Sequence, residues 1–282
     1  MTDEPNTPVL CGLKDHALIR VSGADARTFL QGQLSNDVRE VTPAQSRLAS
    51  LNTPQGRTLA LMRLFEFEGE LMLSLPRTLQ MPIVERLRKY ILRSRVELAP
   101  ADDLAGFGLA GESAAAALGK AGITPPASVN EACAKEGIVA IRVPSPSGDR
   151  FELYGRGEAM AAVGNALSDL CGRADPETWR LLDTLVGIPL LGPETSGEFV
   201  AQMLNLDQLG AINFKKGCYA GQEIIARAHY RGQVKRRLKL LFRNAPARPG
   251  ESINIAENVS AAVVQSVPRP EGDFAVLVVA PV

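Results

Sequence analysis

A thiol set between two glycines and preceded by two lysines stands in Asn213-Phe214-Lys215-Lys216-Gly217-Cys218-Tyr219-Ala220-Gly221-Gln222-Glu223, and a helix-like pattern begins near Gly221. Unpaired N–H groups at a helix start and nearby ammonium charges both favour a thiolate, so Cys218 reads as a candidate nucleophile, redox thiol or soft ligand. A free cysteine is also a small apolar residue that packs at tight turns, and spacing alone leaves both readings open. The stretch from Lys215 to Arg243 holds nine basic residues against the single acid Glu223, a patch of +8 in a chain whose 31 basic and 31 acidic residues cancel, leaving −8 elsewhere. Such a patch suits phosphates, nucleic acid or a multiply carboxylated ligand, or else it is a solvated strand face with charged gatekeepers. Without the aromatic run of an RNA-recognition module or a metal finger beside it, direct nucleic-acid binding is not expected.

Trp179 is the only tryptophan, and Asp175-Pro176-Glu177 supplies a cap, a helix-starting proline and a first-turn acid just before it. An indole there packs in a core or faces a cleft where flat heteroaromatic ligands stack. With His16 and His229 the only histidines, a catalytic triad or a histidine-rich metal site has few ways to assemble, and no metal site is expected. Phosphate-binding glycine signatures are absent, which argues against a P-loop nucleotidase or a dinucleotide enzyme.

The elements that must position these residues follow from periodicity. Ala17–Val21 reads as strand, and Ser22 to Asp25 has capping-box spacing for a helix to about Gly32. Leu48–Leu51, Arg57–Phe67 and Leu71–Leu75 read as a meander; Met81, Val84, Leu87 and Ile91 predict a buried stripe on a helix over 78–92; Arg95–Leu98 returns to strand. A second unit runs through strands at Phe107–Ala110, Ile138–Val143 and Arg150–Tyr154 and helices at Ser113–Lys120 and Glu158–Cys171. After Lys235 a period of two marks strands that close the chain. Strands clustered between helices predict an α+β fold with antiparallel sheets, divided into residues 1–234 and a small β module at 235–282.

The N-terminus is acidic and broken by prolines, unlike a secretory leader, and the longest charge-free apolar run, Phe274–Val282, falls far short of the roughly 20 residues a membrane helix needs. Four scattered cysteines, Cys11, Cys133, Cys171 and Cys218, form no CxxC pair, so a soluble chain in a reducing cytoplasm, with no membrane partner, is expected.

Lys216-Gly217-Cys218-Tyr219-Ala220-Gly221-Gln222-Glu223 resembles the signature of the YgfZ family, folate-binding proteins related to the aminomethyltransferase of the glycine cleavage system. Gly187-Ile188-Pro189, Phe199–Asp207, Arg227, Tyr230-Arg231-Gly232 and Gly32–Asp37 extend the likeness over most of the chain. The resemblance implies two interleaved α+β units and a small C-terminal β-barrel around a central hole that takes tetrahydrofolate or a one-carbon derivative. It implies an accessory role in iron–sulfur cluster assembly or repair, with assembly or client proteins as partners and an indirect effect on tRNA modification. The alternative is a tetrahydrofolate-dependent aminomethyl or one-carbon transferase, for which the sequence nominates no acid or base: Asp183 and Glu223 are available, but each reads equally as a helix-surface acid. Carried over by position, Cys218 is the reactive residue, and Trp179, His16, Lys216, Gly217, Tyr219, Gly221, Gln222, Glu223 and Arg227 are the folate-binding set. His16 stands where some relatives have a second indole, and the basic patch would meet the folate tail.

Overall fold

Short, mostly buried apolar runs make strands of Val9–Gly12 (β1) and His16–Ser22 (β2). The chain then turns through Gly23 at φ +100°, where a Cβ would lie 2.2 Å from the Arg95 carbonyl oxygen, so only glycine fits. Helix α1 (Ala26–Gln33) follows. The expected capping box does not form, because this close approach brings the Arg95 amide to the Asp25 carboxylate at 2.8 Å. Strands Arg47–Asn52 (β3), Thr58–Phe67 (β4) and Glu70–Pro76 (β5) form the expected meander. Helix α2 (Gln80–Arg88) is shorter than its apolar pattern suggests and rotated: Gln80, Ile83, Val84 and Leu87 are buried, while Met81 is 45% exposed. The cause is Gln80, whose amide donates to the Leu18 carbonyl and takes the inward position. Strand β6 (Glu97–Pro100) completes this part.

Next come β7 (Leu104–Gly111), α3 (Ala114–Lys120), β8 (Ala132–Lys135), β9 (Ile138–Arg142), β10 (Asp149–Arg156), α4 (Gly157–Ser168), β11 (Gly172–Ala174) and α5 (Pro176–Leu185). A turn-rich stretch leads to α6 (Gln222–Tyr230), and β12 (Arg236–Arg243), β13 (Ser252–Ala256), β14 (Val259–Pro268) and β15 (Phe274–Pro281) end the chain. The computed structural model describes residues 7–232 and 234–282.

The fold is α+β with antiparallel sheets. One sheet has the order β3-β4-β5-β2-β6, and another the order β11-β1-β7-β10-β9-β8, in which only β1 and β11 run parallel. The first strand of the chain thus sits inside the later sheet. The last four strands form a sheet of order β12-β15-β14-β13, and among the described residues β12 and β13 are its two edges rather than paired to each other, so the expected closed barrel is not formed. Two bulged registers, at Asn254/Ala256 and Val263/Gln265, bend this sheet without closing it.

The five- and six-stranded sheets meet face to face. Leu18, Phe65, Phe67 and Met72 from one pack with Val139, Ile141 and Tyr154 from the other, and the rings of Phe65 and Tyr154 stack at 4.8 Å. Trp179 of α5 joins this layer with its ring against Gly108 of β7, where a Cβ would come within 2.3 Å of Cε3. The opposite face of the five-stranded sheet is covered by α1 and α2 and, through Leu238, Leu277 and Val279, by the C-terminal sheet.

Gly108→Ala therefore has to displace a rigid, enclosed indole. We expect a loss of about 2 kcal/mol or more, read in urea unfolding from the fluorescence of Trp179. A loss below about 0.5 kcal/mol would show that the indole is loosely seated.

Candidate functional site

Side chains two apart on a strand share a face. His16 and Leu18 of β2, Ser74 of β5 and Arg63 of β4 therefore point toward the facing sheet, with Leu18 paired to Ser74 and Ser74 to Arg63 across the strands. From the facing sheet, β10 presents Arg150, Glu152 and Tyr154. Arg63 Nε lies 2.9 Å from Glu152 Oε2, and Tyr154 Oη donates to the same oxygen at 3.2 Å. Ser74 Oγ is 2.9 Å from Tyr154 Oη, and Arg63 Nη1 donates to Asn130 Oδ1 at 2.7 Å. Burial, reinforced by the Glu152 charge, holds the Tyr154 hydroxyl well above the ordinary phenol range.

A second buried pair lies beside the first. Arg150, with no exposed surface, stacks its guanidinium 3.7 Å from the Trp179 ring centre, pairs with Asp183 at 2.9 Å and donates to the carbonyls of Trp179 and Pro144. Glu152 and Asp183 both line a narrow cleft of about 40 Å³, together with His16, Arg63, Ser74 and an apolar wall that includes Ile188, Pro189 and Leu190. Each carboxylate has one oxygen on its arginine, and among the described residues the other accepts no hydrogen bond. Among the described residues the buried Nδ1 of His16 has no hydrogen-bond partner, and His16 also borders a larger cleft of about 360 Å³, which carries Lys14, Arg77, Phe107 and Tyr154.

The motif loop is built elsewhere. Lys216 is buried, and its Nζ donates to the carbonyls of Gln31, Leu34 and Asn36 at 2.6–2.8 Å, fastening the loop to the end of α1. Ser35 Oγ donates to Ala211 O at 2.6 Å, and Asn36 Nδ2 donates to Gly210 O at 2.8 Å. The Gly32–Asp37 and 210–216 stretches, remote in sequence, are thus one unit. Asp37 sits within it, and its hydrogen bonds from Arg39 hold the carboxyl down at about 2. Gly221, at φ +80°, meets the Thr53–Gly56 turn so closely that a Cβ would fall 2.5 Å from Thr53 O. Tyr219 is buried, its hydroxyl pushed up to about 12 by desolvation, with Lys216 Nζ 5.2 Å from its ring centre.

Of the four cysteines, Cys218 alone is exposed; burial pushes Cys11 up to about 12. Gly217, Glu223 and Arg227 are also at the surface, and Gln222 is half-buried, its amide 3.5 Å from Lys216 O. The loop supplies no residue to either cleft that His16 borders. Trp179 is 1% exposed and presents no open face; among the described residues its buried Nε1 has no hydrogen-bond partner. The structure thus places His16 and Asp183 on one cleft, to which the motif contributes no lining. Of the two acids that read equally as helix-surface residues, Asp183 is on the cleft and Glu223 is at the surface. Sequence reading passed over Arg63, Arg150 and Glu152, although a charge inside the apolar runs of β4 and β10 was a readable sign of a polar layer. Among the described residues no three His, Cys, Asp or Glu side chains gather as a metal-binding group, and no helix is long and apolar enough to cross a membrane.

No protein-family model matches the chain. It is 34% identical over 248 residues to the tRNA-modifying protein YgfZ of Klebsiella pneumoniae (strain 342), covering 87% of this chain and 76% of that one. It is 35% identical over 252 residues to the protein of the same name from Escherichia coli O157:H7 (strain EC4115 / EHEC), with the same coverage. Among solved structures, aminomethyltransferase T of the glycine cleavage system from Bartonella henselae superposes with a TM-score of 0.79 at 18% identity, covering 98% of this chain and 79% of that one. The last likeness is one of fold.

The latch at Lys216 has a pH signature. Burial pulls its ammonium from 10.5 to about 8. Between those values the unfolded chain holds a proton that the folded chain releases, so this residue's contribution to stability rises with pH, by at most about 1.4 kcal/mol per unit. Lys216→Met leaves carbonyls of the α1 end without a donor and should cost roughly 2–4 kcal/mol at neutral pH. The gap between wild type and variant, from urea unfolding, should widen from pH 7.5 to 9.5; a gap that is flat or narrows contradicts the assignment.

Proposed function

Since the chain belongs to the family of the tRNA-modifying protein YgfZ, we propose that it is a folate-binding accessory protein that supports iron–sulfur cluster assembly or repair and acts on tRNA modification through iron–sulfur enzymes. The observation that carries the folate part is the pair of half-engaged carboxylates, Glu152 and Asp183, opening on one cleft with His16. A pterin presents a 2-amino group and an N3–H side by side, a donor pair that a carboxylate accepts with charge assistance. Its flat ring suits the His16 imidazole and the Ile188–Leu190 wall. The larger cleft across His16 offers Lys14 and Arg77 to the carboxylates of the glutamate tail. Together the two clefts are the central opening that this reading requires. The polar groups fit a pterin, whereas about 40 Å³ is well below the roughly 300 Å³ at which ligand pockets begin, so binding entails displacement of the 188–190 wall.

In this reading Trp179 acts from below by holding Arg150, and so Asp183, in place. The motif residues Lys216, Gly217, Tyr219, Gly221 and Gln222 hold the loop that presents Cys218, which is the reactive thiol, with Glu223 and Arg227 on its surface. The partners are the assembly or client proteins that this exposed thiol meets, in the cytoplasm. The alternative, a tetrahydrofolate-dependent aminomethyl transferase, draws on the fold of the Bartonella protein; against it stand the two acids of the cleft, Asp183 and Glu152, which are held by Arg150 and Arg63.

Isothermal titration with tetrahydrofolate should show binding that weakens about tenfold, roughly 1.4 kcal/mol, in His16→Ala and in Glu152→Gln, with melting temperatures reported beside the affinities. Absent heat, or affinity unchanged in both variants, removes this cleft as the folate site. In a deletion strain, Cys218→Ala should fail to restore iron–sulfur enzyme activity; full rescue reduces the thiol to a surface residue.

A further inference from the structure

Beyond the folate reading, one surface has chemistry that neither the cleft nor the thiol uses. The rings of Phe214 and His229 stack with centres 3.8 Å apart at 15°, and Tyr230 stands edge-on to His229 at 4.8 Å with 66% of its surface exposed. His229 is exposed as well. Lys215 adjoins Phe214 in the chain, and Arg227 and Arg231 lie on either side of the His229-Tyr230 pair; all three cations are exposed. Arg237 is held by Asp207 at 2.7 Å, but among the described residues none of Lys215, Arg227 and Arg231 has a carboxylate within 4.0 Å. Beside the stack a cleft of about 610 Å³ opens, bordered by Ala228, His229, Gly232 and Lys235 and by the paired Asp207 and Arg237.

From this juxtaposition of the exposed His229 and Tyr230 rings, backed by the half-buried Phe214, with cations that have no carboxylate partner among the described residues, we infer that the Phe214–His229–Tyr230 surface binds single-stranded nucleic acid. Each feature answers a part of such a strand. Every base has a π-face that stacks on an aromatic ring whatever its identity, and a basic track beside the rings follows the phosphates. The adjoining cleft lies within the size range that takes a flat heterocycle. A duplex would engage the cations but keeps its bases stacked within itself. An acidic peptide would engage the cations and leave Tyr230 and His229 bare. This overrides the expectation, drawn from the absence of a recognised RNA-binding run, that direct nucleic-acid contact is absent: here the rings converge from Phe214 and from α6 and are not contiguous in sequence.

The test uses the whole protein and a fluorescent, non-self-complementary RNA of about 12 nucleotides, within the site sizes of single-strand binders, followed by anisotropy. Three phosphate contacts predict a log–log salt slope near −2, at about 0.7 per phosphate on single strands. Tyr230→Ala and His229→Ala should each weaken binding fivefold or more, Tyr230→Phe should retain it, and Lys215→Gln with Arg231→Gln should flatten the salt slope. Tyr230 and His229 pack edge-on against one another and His229 stacks on Phe214, so circular dichroism melts accompany every variant, and Tyr230→Phe controls for lost packing. Three results overturn the inference: no binding at about 50 mM salt; salt-dependent binding that Tyr230→Ala leaves unchanged, which is attraction to any polyanion; or duplex or polyglutamate binding as well as the single strand. Because His16 and Glu152 line a different cleft, Tyr230→Ala should leave tetrahydrofolate affinity unaltered, so failure here and failure of the folate reading are separate outcomes.

Discussion

Arg150 is the constraint on which the centre of the molecule depends. A guanidinium with no exposed surface is tolerated only if its charge and its donors find partners, since desolvating an ion costs several kcal/mol. Asp183 supplies the opposite charge, the Trp179 and Pro144 carbonyls accept from its nitrogens, and the indole covers the guanidinium face. These partners come from α5 and from the loop before β10, so the need to satisfy one arginine fixes the helix against the sheet. The consequence reaches further along α5: Thr184 Oγ1 accepts from Gln265 Nε2 at 2.5 Å, and Gln265 Oε1 accepts from the Leu190 amide, linking the helix to β14 and to the wall of the cleft. Arg63 of the facing sheet, paired with Glu152 of β10, repeats the arrangement, so the layer between the sheets holds two buried ion pairs among its apolar side chains.

The signature loop obeys a different logic. Most of its residues answer to the backbone: Lys216 to three carbonyls, Gly221 to the Thr53–Gly56 turn, Tyr219 to the core. What this scaffolding leaves at the surface is Cys218, with Gly217 and Glu223. A motif can therefore be dense in polar and charged residues and still present a single reactive atom. The expectation that Lys216 meets a ligand carboxylate does not survive this geometry, because all three of its N–H groups are engaged.

Much of the fold was legible because burial imposes periodicity. The meander β3–β5, the proline-started helix at Trp179 and the final strands with their alternating charges all show it. Strands β1, β8 and β11, of three or four residues each, were not legible, since they exist only by pairing with distant partners. Met81 was placed inside because apolarity outranks polarity in any pattern count, whereas Gln80 gains a buried carbonyl partner that no local pattern reveals. The candidate site was half visible: His16 and Asp183 could be named, but Arg63, Arg150 and Glu152 sit in strands that read as core, and whether Trp179 is a wall or a floor is decided by Gly108 across the sheet. That the last four strands form a sheet with β12 and β13 at its edges, where a barrel was expected, was equally beyond the sequence, because edge pairing leaves no trace in the alternation of side chains.

The claim at the centre of this account is that the ionic layer between the sheets opens to receive a flat heterocycle. A crystal structure of the protein grown with 5-formyltetrahydrofolate tests it most directly. The account predicts density for the pterin against His16, in hydrogen-bond contact with Glu152 or Asp183, with residues 188–190 displaced from their present position. A pterin lodged beside Cys218 on the signature loop, with the layer between the sheets still closed, would contradict it.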